Sequence, residues 1–177
     1  MKRLINIIEL LAITLALMSC DKDRDHRPGF VPGEVLILFN SSASWNSVYG
    51  LIDTLELEVI FLKDFGYYLK APEDSIDTIT SILNNKPYLT DGGMTFGILY
   101  IDSTINITAN FFDFDDSDNF DWVETVDHLN LTENLTGPFF KWGILSVPIG
   151  LEQYWIVQLN KFSIVSAVEL NNYVNLN

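Results

Sequence analysis

The sequence predicts an α+β protein whose folded part consists of two tandem copies of one small unit. Three observations support this prediction. Strand and helix patterns recur in one order, short blocks repeat at nearly constant spacing, and a hydrophobic fraction of 48% with 13% aromatic residues is enough to build a core rather than a disordered chain. The recurring order is β-α-β-β-α-β. A chain with that order closes as an antiparallel sheet with both helices on one face, the ferredoxin-like arrangement.

The first predicted unit covers residues 30–102. Gly33 to Asn40 is rich in branched apolar residues and reads as a strand, and apolar residues then recur at helical spacing from Trp45 to Leu55. The later elements of this unit are strands over 57–63 and 67–71 with a turn at 64–66 between them, a helix over 74–84, and a strand over 94–101.

The second predicted unit covers residues 103–177 and has the same order of elements. Its strands are expected over 105–114, weakly over 138–140, and over 143–147 and 165–174, with helices over 120–129 and 151–162. A competing interpretation is a single domain in which Met94 to Phe114 forms an inserted hairpin.

Short sequence blocks repeat between the two units. Leu69 to Pro72 (LKAP) matches Leu145 to Pro148 (LSVP), and a leucine follows each proline after the same interval, at Leu83 and Leu159. Upstream, the block 52–57 (IDTLEL) resembles the block 126–131 (VDHLNL). Amphipathic segments can resemble one another by chance. Because the order of the blocks is preserved with one small gap, duplication is the better explanation.

The N-terminal residues 1–19 have the features of a lipoprotein signal peptide. Lys2 and Arg3 precede a short apolar run that is too short to span a bilayer, and Leu17 to Cys20 (LMSC) has the form of a lipobox. Cys20 is the chain's only cysteine, and lipidation would account for a lone thiol in an exported protein. The sequence therefore predicts cleavage before Cys20 and membrane attachment through lipid on that residue.

Residues 20–29 form a polar, charged tether that cannot pack a core. Acidic residues just after the lipidated cysteine resemble the export signal of Gram-negative bacteria that display lipoproteins on the surface. The localisation predicted is therefore the outer membrane or cell surface, although any polar spacer would also serve as a tether.

Charge and residue content argue against several functions. The formal net charge of −14 repels phosphate backbones, so nucleic acid is not an expected partner. With two histidines, His26 in the tether and His128 at a helix end, and no cysteine besides Cys20, there is no support for a nucleophilic triad or a zinc site. The sequence thus predicts a non-enzymatic protein with no catalytic residues and no cofactor.

One acidic segment has the oxygen spacing of a calcium loop. Read as twelve residues from Asp113, it offers Asp113, Asp115, Ser117, Asp121 and Glu124 as ligands. Position six holds Asp118 where such loops need glycine for a sharp turn. The preferred interpretation is an acidic strand-to-helix connection in which Ser117 or Asp118 caps the helix, and a calcium-stabilised structural or adhesive lipoprotein is the alternative.

The segment 30–39 (FVPGEVLILF) resembles the opening strand of the propeptides of subtilisin-like proteases, in particular those of the fervidolysin type. That family closes with a helix, a short turn and a last strand, and its closing half resembles 163–171 (SIVSAVELN). The resemblance implies a protein that inhibits or docks a subtilisin-like protease. In the family the sheet packs on the protease and the tail after the last strand lies in its cleft, which implies partner contacts at Asn171, Asn172, Tyr173 and Val174.

Overall fold

The computed structural model describes residues 29–89, 96–136 and 140–172. The predicted signal peptide, Cys20, most of the tether, and Tyr173 and Val174 lie outside the described residues. In the part that is described, no helix is long and apolar enough to cross a membrane.

The described elements are seven strands and four α-helices in one mixed α+β arrangement with an antiparallel sheet. In chain order they are β1 (Phe30–Phe39), α1 (Trp45–Thr54), β2 (Glu58–Lys70), α2 (Ile76–Asn84), β3 (Gly97–Ile101), β4 (Thr104–Phe112), α3 (Asp116–His128), β5 (Thr132–Glu133), β6 (Trp142–Ser146), α4 (Glu152–Leu159) and β7 (Val165–Asn172). Short 3-10 turns at Glu73–Ser75 and Pro87–Leu89 flank α2.

All seven strands belong to one sheet, in the order β3-β4-β2-β6-β1-β7, with β5 also paired to β2. This order corrects the prediction of two separate tandem sheets. Each of the six pairings among the described strands joins a strand of 30–102 to a strand of 103–177. The reason is that strand pairing is non-local: β6 contributes hydrogen bonds on both edges and lies between β1 and β2.

The repeated blocks nevertheless occupy equivalent places. Pro72 and Pro148 each follow a strand and precede a helix, and the paired leucines Leu83 and Leu159 are both fully buried near the helix ends. The blocks 52–57 and 126–131 end their helices in the same way. Glu56 and Asn130 both have φ of 52°, and the next residue's N–H returns to the carbonyl five residues back, at 3.1 Å and 2.9 Å.

The turn predicted at 64–66 does not form, because β2 continues through it as one strand of 13 residues. A bulge between Leu62 and Phe65 absorbs the irregularity, with Asp64 at φ +68°. Two contacts hold the bulge: the Asp64 N–H donates to Asn110 Oδ1 at 3.1 Å, and the Phe65 side chain is fully buried.

Other element boundaries also differ from the predictions. The weak strand lies at Thr132–Glu133 rather than near 138–140, of which only Phe140 is among the described residues. The third helix begins at Asp116, four residues before the predicted start, since Asp115 rather than Ser117 or Asp118 is its N-cap. The fourth helix is shorter than predicted at both ends.

The core lies on one face of the sheet, under the four helices. Alternate residues of β1, Val35, Ile37 and Phe39, are fully buried there. The buried residues of α1, α2, α3 and α4 join them in a single cluster, with Trp45 packed on Phe111 and Phe114. The other face of the sheet carries none of the four described helices.

Candidate functional site

The uncovered face of the sheet carries a patch of large apolar side chains at its centre. They come from four adjacent strands, are all only partly buried, and lie outside the core cluster. We call this set the sheet-face patch, and it consists of Leu36, Leu38, Phe61, Phe112, Trp142 and Ile144. Residues that alternate with buried ones along a strand point to the opposite face, which places these six on the uncovered side.

Strand register brings the patch together in two rows. Leu36 lies opposite Ile144, and Phe61 lies opposite both Ile144 and Phe112. In the next row Leu38 is opposite Trp142. The Phe61 ring centroid is 5.0 Å from that of Phe112 and 5.1 Å from that of Trp142, the second pair edge to face. The patch is therefore a continuous surface rather than scattered exposed residues.

Polar contacts fix the orientation of Trp142 at the patch. Its indole Nε1–H donates to Asp64 Oδ2 at 3.2 Å, so the bulge in β2 supplies the acceptor. The Lys63 ammonium lies 5.6 Å from the Trp142 ring centroid, within range of a cation–π contact. Trp142 is only partly buried, so part of its side chain remains exposed on the uncovered face of the sheet.

A glycine lets the two central strands approach beneath the patch. A Cβ placed on Gly143 of β6 would lie 2.5 Å from the Phe61 carbonyl oxygen and 2.6 Å from Leu62 Cδ2. Any larger residue at position 143 would push β6 away from β2. The spacing of Trp142 and Ile144 from Phe61 thus depends on this glycine.

An ion pair within the second half of the chain, between buried Lys141 and partly buried Glu133, is hydrogen-bonded to the first half on the core side. Lys141 is 2% exposed, and its ammonium donates to Glu133 Oε1 at 3.0 Å and to the Ala43 carbonyl. Glu133 also accepts from the Trp45 N–H at 2.8 Å, at the first turn of α1. The Lys141 ammonium lies 5.5 Å from the Phe65 ring centroid. Neither Lys141 nor Glu133 could be identified from the sequence, since nothing local distinguishes a buried lysine from an exposed one.

The opening and closing motifs of the propeptide resemblance meet on neighbouring strands. Asn171 Nδ2 donates to Glu34 Oε2 at 2.6 Å, between β7 and β1. Gly33 has φ of +80°, and its N–H donates to the buried Glu152 carboxylate at 2.8 Å. That donor, with the N–H groups of Gly150 and Glu152 itself, holds the pKa of Glu152 below its ordinary value.

Of the four tail residues implied by the resemblance, two are in the described part. Asn171 and Asn172 end β7 at the edge of the sheet, where Asn172 is exposed. Tyr173 and Val174 follow them outside the described residues.

The five residues of the calcium interpretation lie in different local structures. Asp113 is exposed just after the end of β4, Ser117 is in the first turn of α3, and Glu124 is exposed further along that helix. Asp115 caps α3: its carboxylate accepts from the N–H groups of Ser117 and Asp118, which lowers its pKa. Asp121 lies one turn into the helix and is held by the Lys86 ammonium at 2.7 Å and the Tyr88 hydroxyl at 2.6 Å, which lower its pKa. Across 29–89, 96–136 and 140–172, no three His, Cys, Asp or Glu side chains are grouped as metal ligands.

His128 is exposed in the last turn of α3, the helix-end surface position that the sequence predicts.

Comparison with known proteins returned no family model, no curated protein and no solved structure that matches this chain.

Proposed function

We propose that this protein is a non-enzymatic, membrane-anchored docking module that binds another protein through the sheet-face patch. The observation that carries the proposal is the patch itself, six large apolar side chains on a sheet face that no described helix covers. Contiguous apolar surface of this kind, rich in aromatic residues, is typical of protein interfaces.

The partner that best fits this surface is a subtilisin-like protease. Two features support it: the motifs of the propeptide resemblance meet through Glu34 and Asn171, and in that family the sheet is the element that packs on the protease. The run Val35 to Phe39 (VLILF) is apolar at every position, a pattern found in strands covered on both faces. The helices cover one face, and the partner would cover the other.

We further infer that the chain is a duplicated ferredoxin-like unit whose halves have been exchanged. One four-stranded set follows the order β2-β6-β1-β7 and draws α1 from the first copy and α4 from the second. The other follows the order β5-β2-β4-β3 and draws α3 from the second copy and α2 from the first. Both orders are that of a β-α-β-β-α-β unit with its third strand between the first and second.

The exchange would follow from β2 running straight through residues 64–66. A hairpin at 64–66 would reverse the chain direction, so that the two parts of β2 became separate strands of one copy and each copy formed its own sheet. Instead, the first part of β2 pairs with β6 and the second part with β5, so each copy donates a β-α-β half to the other. The equivalent positions of Pro72 and Pro148 in the two halves support this inference.

A charged residue in the sheet-face patch should weaken partner binding without unfolding the protein. We expect Phe112→Lys to weaken binding to a subtilisin-type protease by at least about tenfold, the cost of about 1.4 kcal/mol at one interface anchor. Immobilised protein, wild type or variant, is offered the purified protease and the affinity is measured by surface plasmon resonance.

The matched control for this experiment is Val123→Lys, an exposed valine on α3 in the helix layer. It should bind as the wild type does. Equal affinity for wild type and Phe112→Lys would refute the patch as the docking surface. If the wild type does not bind the protease but captures another envelope protein, the proposed partner would be replaced and the proposed surface would be retained.

Membrane attachment is tested separately at the lipidation residue. Cys20→Ala removes the thiol that would receive the diacylglycerol, so we expect loss of palmitate labelling and release of the protein from the membrane fraction. A Cys20→Ala protein that still incorporates radiolabelled palmitate would show that the anchor lies elsewhere.

A further inference from the structure

The helix layer has a second concentration of exposed apolar side chains, around α4. Five large hydrophobic residues within residues 149–162 are each between 37% and 78% exposed. We call this set the α4 patch, and it consists of Ile149, Leu151, Tyr154, Val157 and Phe162. Leu151, Tyr154 and Val157 recur at intervals of three and so lie along one side of the helix, away from the buried Leu159.

We propose that the α4 patch rests on the lipid bilayer, at the boundary between headgroups and acyl chains, and holds the protein in one orientation on the membrane. This inference rests on the proposed anchoring through Cys20. The occupant is a phospholipid surface rather than a protein, for reasons of distance, charge and orientation.

The distance from the anchor favours contact between this patch and the bilayer. Nine residues, 21–29, separate Cys20 from the start of β1, so the ten peptide steps between Cys20 and Phe30 reach at most about 35 Å. The start of β1 touches the segment that leads into α4: a Cβ on Gly33 would lie 3.1 Å from Ile149 Cγ1, and the Gly33 N–H is bonded to Glu152. The tether therefore keeps the lipid anchor within about 35 Å of the start of β1, the end of the molecule where the α4 patch begins.

The charge of this face is also suited to a membrane. The chain has a formal net charge of −14, so most of its surface is repelled by anionic lipid. Between Ile149 and Ile164 the only charged residues are Glu152 and Lys161. Glu152 is buried against the Gly33 N–H and Lys161 is exposed, so this segment presents apolar side chains and one cation. Such a combination is typical of helices that lie in the bilayer interface.

The orientation that results agrees with the proposed function. α4 packs on the core side of the sheet, through Leu159, and the sheet-face patch lies on the opposite side of the same sheet. With the α4 patch on the bilayer, the sheet-face patch points away from the membrane, towards soluble partners.

Site-directed spin labels test this inference directly. Because lipid would occupy Cys20, the chain's only cysteine, each added cysteine carries a unique label. Lipidated full-length protein with Tyr154→Cys or Val157→Cys is reconstituted in vesicles of phosphatidylcholine and phosphatidylethanolamine. The reference is the same protein without its lipid anchor, in detergent-free buffer. Relative to that reference, we expect the collision rate of the label with a water-soluble nickel chelate to fall several-fold and its collision rate with oxygen to rise.

The matched control is Leu99→Cys, on the edge strand β3 and 59% exposed. Its label should remain accessible to nickel in both states. Nickel access at 154 and 157 equal to that at 99 on protein that floats with the vesicles would overturn the inference and leave the anchor intact. Protein that does not float would overturn both. Shielding that appears without vesicles and grows with protein concentration would assign the α4 patch to a second copy of this chain and also overturn the inference.

Discussion

Replacing Glu133 by alanine should lower the free energy of unfolding by about 3–5 kcal/mol, because it leaves the buried Lys141 ammonium without its counter-charge. The change removes the carboxylate that accepts from Lys141 at 3.0 Å and from the Trp45 N–H at 2.8 Å. Among the described residues, the Lys141 ammonium, 2% exposed, would then keep the Ala43 carbonyl and the face of Phe65. A buried charge without a counter-charge is costly. Urea unfolding followed by tryptophan fluorescence measures the loss.

Two further variants identify the cause. The double variant Glu133→Ala with Lys141→Met should be more stable than Glu133→Ala alone, because no buried charge remains unpaired. Lys161→Ala, which removes an exposed ammonium bonded to Gln158 at 2.7 Å, should change stability by no more than about 0.5 kcal/mol. If Glu133→Ala behaves like Lys161→Ala, the ion pair does not stabilise the fold.

The pattern of elements could be predicted from the sequence because it depends on local periodicity. The positions of α1 and α2, and of the strands on either side of them, follow from apolar spacing and from the prolines at 72 and 87. The α+β class is confirmed for the same reason. The helix ends at Glu56 and Asn130 also repeat, since both depend on a few neighbouring residues.

The pairing of the strands could not be predicted because it depends on distant residues. Asp64-Phe65-Gly66 has the composition of a turn, yet Phe65 is more favourably placed in the core, and Trp142 and Asn110 satisfy the polar groups of Asp64. Once β2 is straight, its two ends pair with different strands. No local pattern in the sequence of β2 indicates which strand will pair with each of its edges.

Part of the sheet-face patch could be predicted from the sequence of β1. Leu36 and Leu38 alternate with Val35, Ile37 and Phe39, so β1 has apolar residues on both of its faces. In an antiparallel sheet with helices on one side, polar residues are expected on the other. That departure is the sequence signal of the apolar patch on the second face. The partners of Leu36 and Leu38 across the sheet, Ile144 and Trp142, could be identified only after β6 was placed beside β1.

Cutting the chain in the β3–β4 hairpin should leave its two halves bound to each other. Asp102 and Ser103 form this exposed turn, both with positive φ of 50° and 59°, and a protease recognition sequence inserted between them would give pieces ending and starting there. Because every described strand pairing joins one piece to the other, we expect the pieces to elute together in equal amounts and to separate only in denaturant.

The cut protein distinguishes exchanged halves from two independent units. Exchanged halves share one core, so unfolding becomes a dissociation, and the melting temperature should rise with protein concentration after the cut but not before it. Neither piece alone should show a cooperative transition, since each would expose strand edges and one side of the cluster around Trp45 and Phe111. Two independent ferredoxin-like units would instead separate in native buffer and each unfold at its own concentration-independent temperature, a result that would refute the exchange.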